Sequence, residues 1–247
     1  MAKLAIIGGT GLTRINDLQI TGREVMTTPY GEPSGPLIHG ELYGQKVMFL
    51  PRHGSAHNIP PHKVNYRANI WSLKEAGAEN IIAVNAVGAI RYDIPPASLV
   101  IPDQIIDYTW SRINTFFEES LKQVVHIDFT SPYCESLRQS LIKSANKTSL
   151  DITEQATYAA TQGPRLETAA EINRLEKDGC HIVGMTGMPE AALAREVGLC
   201  YACIAVVANM AAGRSEGEIT MEEIELHLSA GMENVKQLLQ KVIPGID

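Results

Sequence analysis

The sequence predicts a single α/β domain, residues 1–247, built on a central, mixed and largely buried sheet flanked by helices. Continuous apolar runs of strand length occur at residues 81–84 and 199–207, a pattern that belongs to strands covered on both faces. Stretches of helical period alternate with such runs along the chain. No low-complexity linker or internal repeat interrupts them.

Residues 4–7 read as the first strand, followed by the glycine-rich turn Gly8-Gly9-Thr10-Gly11. A dinucleotide fingerprint needs a third glycine, but Leu12, Thr13 and Arg14 follow. A turn that offers backbone N–H groups and the Thr10 hydroxyl to an anion fits better, beside the plain reading of a strand-to-loop turn. Residues 37–41 and 45–50 form a hairpin around Tyr43-Gly44 that runs into Arg52-His53-Gly54-Ser55-Ala56-His57. Residues 61–77 predict a helix with Val64, Ala68, Trp71 and Leu73 inward and Gly77 as its stop. The strand at 80–84 ends in Asn85-Ala86-Val87-Gly88, where small residues let a ligand approach the backbone. A loop at 92–98 leads to a strand over 99–106.

Residues 110–130 carry no regular pattern and include Phe116, Phe117 and His126, which suggests a lid or a subunit contact. A helix over 131–146 turns Leu137, Leu141 and Ile142 inward. The Gly163-Pro164 turn precedes Glu167 at the start of a helix over 168–178. A carboxylate there also has the plain role of complementing the helix dipole. Residues 181–186 read as a strand, and Pro189 opens the next helix. The strand at 199–207 leads into Asn209-Met210-Ala211. Thr220 and Glu223 cap the long last helix, whose apolar stripe is Met221, Ile224, Leu228, Val235, Leu238 and Val242.

The 45% hydrophobic and 20% charged content is that of a globular protein, and the net charge of −7 argues against a nucleic-acid backbone or an anionic membrane as partner. No run of about 18 apolar residues suggests a membrane span. The N-terminus is too short and glycine-broken for a signal peptide, so a cytoplasmic location is expected. The cysteines are Cys134, Cys180, Cys200 and Cys203. Cys200-Tyr-Ala-Cys203 has a redox-type spacing, but it lies in an apolar run, so buried structural thiols in a reducing cytosol are expected.

There is no P-loop, H-E-x-x-H or metal cluster. What remains is a set of strand ends bearing Thr10, Arg52-His53, Asn85-Ala86, Met185-Thr186 and Asn209. A guanidinium offers a fork of donors to an oxyanion. An amide both donates and accepts, which suits a lactam edge. An anion site beside a lactam reader suggests phosphate attacking a nucleoside.

With these motifs in place, the chain resembles the purine nucleoside phosphorylase and methylthioadenosine phosphorylase family over nearly its whole length. The resemblance lies in Thr28-Pro-Tyr-Gly31, Arg52-His-Gly54, Lys63-Val-Asn-Tyr66, Gly163-Pro164, Met185-Thr186 and Pro189-Glu190. It implies the nucleoside phosphorylase fold, a homotrimer, and phosphorolysis without a cofactor, phosphate being a co-substrate. It places phosphate on Thr10, Arg52, His53, Asn85, Ala86 and Thr186, and Met185 under the ribose. Base recognition and leaving-group stabilisation fall on Glu167 and Asn209, with Met210, Ala211 and Leu166 beside them. The 5′ group falls to Met221, His57 and a neighbouring subunit's His126.

The adenine-specific branch carries aspartates where Asn209 and Ala211 stand, so the resemblance implies a 6-oxopurine. Met221 stands where the inosine-cleaving branch has a histidine for the 5′-hydroxyl, so a 5′-methylthio group is expected. A general inosine and guanosine phosphorylase, an adenine-specific methylthioadenosine phosphorylase and a nucleoside-binding module without turnover remain the alternatives.

Overall fold

The computed structural model describes residues 2–9, 18–119, 122–148 and 150–246. At its centre β1 (Leu4–Gly8) lies between β4 (Gln45–Pro51) and β5 (Asn80–Ala89), parallel to both. The last strand, β11 (Cys200–Met210), runs parallel to β5, with residues 200–207 in register with 80–87. On one side, β3 (Leu37–Leu42) pairs antiparallel with β4, and β2 (Gln19–Glu24) forms the outer edge. The carboxyl end of β5 takes β10 (Ile182–Gly184) antiparallel, followed by β9 (Thr157–Ala160) and β7 (Gln104–Asp107). Two short strands, β6 (Leu99–Val100) and β8 (Ile152–Thr153), extend the sheet beyond β11.

Helices cover both faces, as the uninterrupted apolar strands require. Ala5 and Ile7 of β1 face a core shared with Ile70 and Leu73 of α1 (Tyr66–Glu75) and Ala191 and Ala194 of α4 (Glu190–Glu196). Leu4 and Ile6 face the opposite core, with Leu141 of α2 (Glu135–Thr148) and Val235 and Leu238 of α5 (Met221–Val242). A smaller cluster seats Ile172 and Leu175 of α3 (Ala169–Lys177) against Ile90 and Val183. The mixed sheet, the hairpin and the order of helices agree with the expectation from sequence.

The differences have local causes. The helix expected over 61–77 is a 3₁₀ turn, Pro61–Lys63, and then α1, because Asn65 leaves helical geometry to cap Ala68 N and to donate to Tyr30 O. The strand expected over 99–106 divides into β6 and β7 at Pro102-Asp103, where proline has no N–H and Asp103 accepts from Ala156 N. β2 went unread because its residues are mostly exposed and polar, as an edge strand's are.

The cysteine expectation is also corrected. Cys200 is paired in a disulfide with Cys134, which leaves Cys180 and Cys203 as the buried thiols. The N–H of Cys134 donates to Tyr201 O, which sets the start of α2 against the entry of β11 and brings the two Cα atoms to 5.1 Å. No helix among the described residues is long and apolar enough to cross a membrane.

Candidate active site

The carboxyl ends of β4, β5 and β11 meet beside β10. Within β5, Ala86 is the one exposed position, and Asn85 before it is buried. An exposed residue in a strand covered on both faces marks where the sheet opens into a cleft.

A buried polar network lies at this opening. Arg52 is 2% exposed, and its Nε and Nη2 donate to both oxygens of Glu190 at 2.8 Å. Its Nη1 donates to Val84 O at 3.0 Å, and Nη2 also reaches Asn85 Oδ1 at 3.3 Å. Asn85 passes the chain on, its Nδ2 donating to Thr186 Oγ1 at 2.7 Å. Thr186 accepts here, so its own proton is available to an anion in the cleft. Tyr201 donates its hydroxyl to Glu190 at 2.9 Å. Burial opposes the Arg52 charge, but the Glu190 carboxylate outweighs burial and the pKa rises. Burial likewise raises the Tyr66, Tyr133, Tyr158 and Tyr201 phenols.

The sequence offered Arg52 as a fork of donors for phosphate. Its fork is turned inward to Glu190, the residue after Pro189. Thr10, expected beside it, lies outside the described residues.

Next to Arg52, Gly54 has a φ of +78° and closes the turn that presents His53. His53 Nδ1 lies 2.8 Å from Ile59 O, and since a carbonyl only accepts, Nδ1 carries the proton and Nε2 is left as an acceptor. Burial first, and the Arg52 charge second, push the His53 pKa down to about 4. The exposed His57 has its ring centroid 5.1 Å from that of His53.

On the base-reading side β11 has a bulge: Val207 pairs with Val87, and Asn209 pairs with Gly88. The extra residue places the Asn209 side chain over Gly88, where a Cβ would stand 3.4 Å from Asn209 Nδ2. Asn209 Nδ2 donates to Met210 O. Asn209 and Met210 are half-buried, whereas Ala211 is 2% exposed and packs in the apolar cluster with Ile90 and Ile172. Glu167 sits just before the Thr168 cap of α3, and Thr161 donates to its Oε1 at 2.6 Å. Leu166 beside it is exposed.

Arg112, which no motif pointed to, ties the surrounding segments together. Nη1 donates to Met185 O and Met188 O and Nη2 to Gln162 O, each at 2.7 Å, and Nη2 also donates to Thr161 O at 3.1 Å. One guanidinium thus joins the segment bearing Met185 and Thr186 to the segment leading to Glu167. Its place in the irregular 110–130 stretch gave no sequence signal. The described residues of that stretch, 110–119 and 122–130, carry no helix or strand, as expected, and the first part is anchored. Thr115 and Phe116 N donate to Glu196, and Phe116 packs against Tyr30 and Trp71. His126 follows the exposed Val124 and Val125 and is itself exposed. Met221, the first residue of α5, is 65% exposed. Among the described residues no group of three or more His, Cys, Asp or Glu side chains is placed to hold a metal.

Residues 3–244 match a family described as the phosphorylase superfamily. A protein of Pseudomonas syringae pv. tomato named probable S-methyl-5′-thioinosine phosphorylase is 55% identical over 243 residues, covering 98% of this chain and 99% of its own. A probable 6-oxopurine nucleoside phosphorylase of Thermococcus kodakarensis is 44% identical, covering 98% and 92%. Among solved structures, a methylthioadenosine phosphorylase from Schistosoma mansoni in complex with adenine matches with a TM-score of 0.93 at 35% identity, covering 100% of this chain and 93% of its own. The chain therefore belongs to the phosphorylase superfamily.

Proposed function

We propose that this protein cleaves S-methyl-5′-thioinosine with phosphate, giving hypoxanthine and 5-methylthioribose 1-phosphate. The observation that carries this is Asn209, an amide at the bulged end of β11 where an adenine reader would place a carboxylate. Its NH2 faces purine O6 and its carbonyl accepts from a protonated N7. Glu167, held by Thr161, accepts from N1–H. The relatives named for methylthioinosine and 6-oxopurine nucleosides support the same base. The apolar thioether of Met221, exposed at the start of α5, is assigned to the 5′-methylthio group, as the resemblance implies.

In this reading phosphate is the nucleophile and no cofactor takes part. Thr186, aimed by Asn85, donates to the phosphate, and His53 Nε2 accepts from a protonated phosphate oxygen. Backbone groups at Ala86 complete the described part of the anion site, and Arg52 contributes charge from behind it. As the C1′–N9 bond stretches, Asn209 and Glu167 stabilise charge on the departing purine while the phosphate is held in line. A homotrimer in the cytoplasm is part of the proposal. His126, on an exposed segment with Val124 and Val125, would reach a neighbouring subunit's 5′ pocket.

The second reading is a general inosine and guanosine phosphorylase, favoured by the polar His57 beside His53. Release of free base is measured from methylthioinosine, inosine and methylthioadenosine, with and without phosphate. Phosphate-dependent turnover highest on methylthioinosine is expected. Higher kcat/KM on inosine installs the second reading, preference for methylthioadenosine overturns the base assignment, and binding without turnover removes the enzyme.

A further inference from the structure

We propose that His227 is a positioning residue for base recognition: from α5 it holds the bulge in β11 that turns Asn209 towards the purine. The inference rests on the reading of Asn209 as the base reader.

A bulge inserts a residue whose backbone groups lose their ladder partners. The inserted residue is Ala208, 3% exposed, and an unpaired carbonyl at such a depth is costly. The fold answers this at each position of the bulge. Val207 O accepts from Ala97 N at 2.7 Å. Ala208 O lies 3.1 Å from His227 Nδ1, and since a carbonyl accepts, the ring nitrogen donates.

Two further residues on the same face of α5 bring the ring there. Gly231, one turn on, lies where a Cβ would collide with Val206 Cγ1 and stand 3.2 Å from Ala97 O. The helix backbone is thus pressed against β11 just beside the bulge. Asn234, two turns from His227, donates to Ala97 O at 3.4 Å. His227, Gly231 and Asn234 follow the i, i+4, i+7 spacing of one helix face. They close a polar seam over Ala97 and residues 207–208. The register slip that puts Asn209, and not Ala208, beside Gly88 is therefore held from the helix side by one side-chain donor.

The test compares His227→Ala, His227→Asn, His227→Asp and Asn209→Ala in phosphorolysis of methylthioinosine and methylthioadenosine, with phosphate also varied. Loss of the donor is expected to lower kcat/KM on methylthioinosine about tenfold and to narrow its ratio to methylthioadenosine. The phosphate KM is expected to stay within about twofold, because the bulge does not touch the anion network. Asparagine can donate to the same carbonyl and should recover most of the activity, whereas aspartate, of the same size, cannot. That pair keeps the test decisive if the alanine variant fails to fold. The proposal is overturned if asparagine and aspartate behave alike, or if the substrate ratio stays at the wild-type value in His227→Ala. Failure of the base assignment is a different result: Asn209→Ala would then keep the wild-type ratio whatever the His227 variants do.

Discussion

An amide and a carboxylate of the same shape differ by one donor, and in the proposed reading that donor at Asn209 decides which purine edge is welcome. Adenine would set its amino group against the Asn209 NH2, and a desolvated site left with unpaired groups rejects a ligand strongly. Asn209→Asp is expected to lower kcat/KM on methylthioinosine about ten- to hundredfold and to raise activity on methylthioadenosine, read in paired assays at equal phosphate. Adding Ala211→Asp, which the aspartate pattern of adenine-specific relatives suggests, would bury a carboxylate among Ile90 and Ile172, so the single change is the cleaner test. Arg52 presents a similar choice. Arg52→Ala would strand Glu190, which is 0% exposed, at a cost of about 3–5 kcal/mol, so denaturant melts should show a fold weakened together with phosphate binding. Thr186→Val leaves the ion pair intact but removes the acceptor of Asn85 Nδ2, so it should raise the phosphate KM about tenfold or more with a smaller loss in the melt than Arg52→Ala. An unchanged phosphate KM in Thr186→Val would remove Thr186 from the anion site.

Among the elements, the start of α2 and the entry of β11 are joined by the Cys134–Cys200 disulfide across a sequence separation of 66. Constraint of the unfolded chain by a loop of that length stabilises by about 4 kcal/mol in the chain-entropy account. Cys134→Ser, or reductant added to the wild type, should therefore lower Tm by several degrees, and each should make the other redundant. Titration of the denatured, unreduced protein should find only Cys180 and Cys203 as free thiols. Four reactive thiols, and a melt indifferent to reductant, would show that the bridge is open in solution. The sequence hid this pairing: Cys200-Tyr-Ala-Cys203 drew attention to the wrong partner. Alternation along β11 points neighbouring odd and even residues to opposite faces, and the true partner comes from a distant helix start.

At the scale of the whole molecule, the buried titratable groups give stability a sign with pH. His53 is held neutral with its pKa at about 4, against 6.5 for an ordinary imidazole. Between these values the unfolded chain binds a proton that the native state refuses. Its contribution is present above about 6.5 and is lost as pH falls towards 4. His181, also lowered by burial, acts in the same direction. Glu171, drawn down to about 2 by its hydrogen bond with Arg165, loses its contribution only as pH falls below 4.5. Tm should begin to fall between pH 6.5 and 5, ahead of the carboxylates, and should fall less in His53→Gln. Equal losses in both proteins would exclude His53 as the source.

The alternation of buried strands and amphipathic helices was legible because it is a local pattern, fixed by which side chains leave water. Local rules also sufficed for the hairpin at Tyr43-Gly44 and the last helix with its Thr220 cap, whereas β5 and β11 run on past the expected ends, through Asn85 and Asn209. What those side chains face was not legible. Arg52 meets Glu190 across 138 positions, Arg112 meets Met185 across 73, and the Ala208 carbonyl needs a histidine 19 residues on. Each of these is a buried donor or acceptor finding its partner, a demand that any suitable residue could meet and that only the packed sheet resolves. The sequence by itself determined the layers and the residues carried to the cleft. The tertiary structure decided which of them face the cleft and which support it, because hydrogen-bond satisfaction in a low-dielectric interior depends on distance in space and not along the chain.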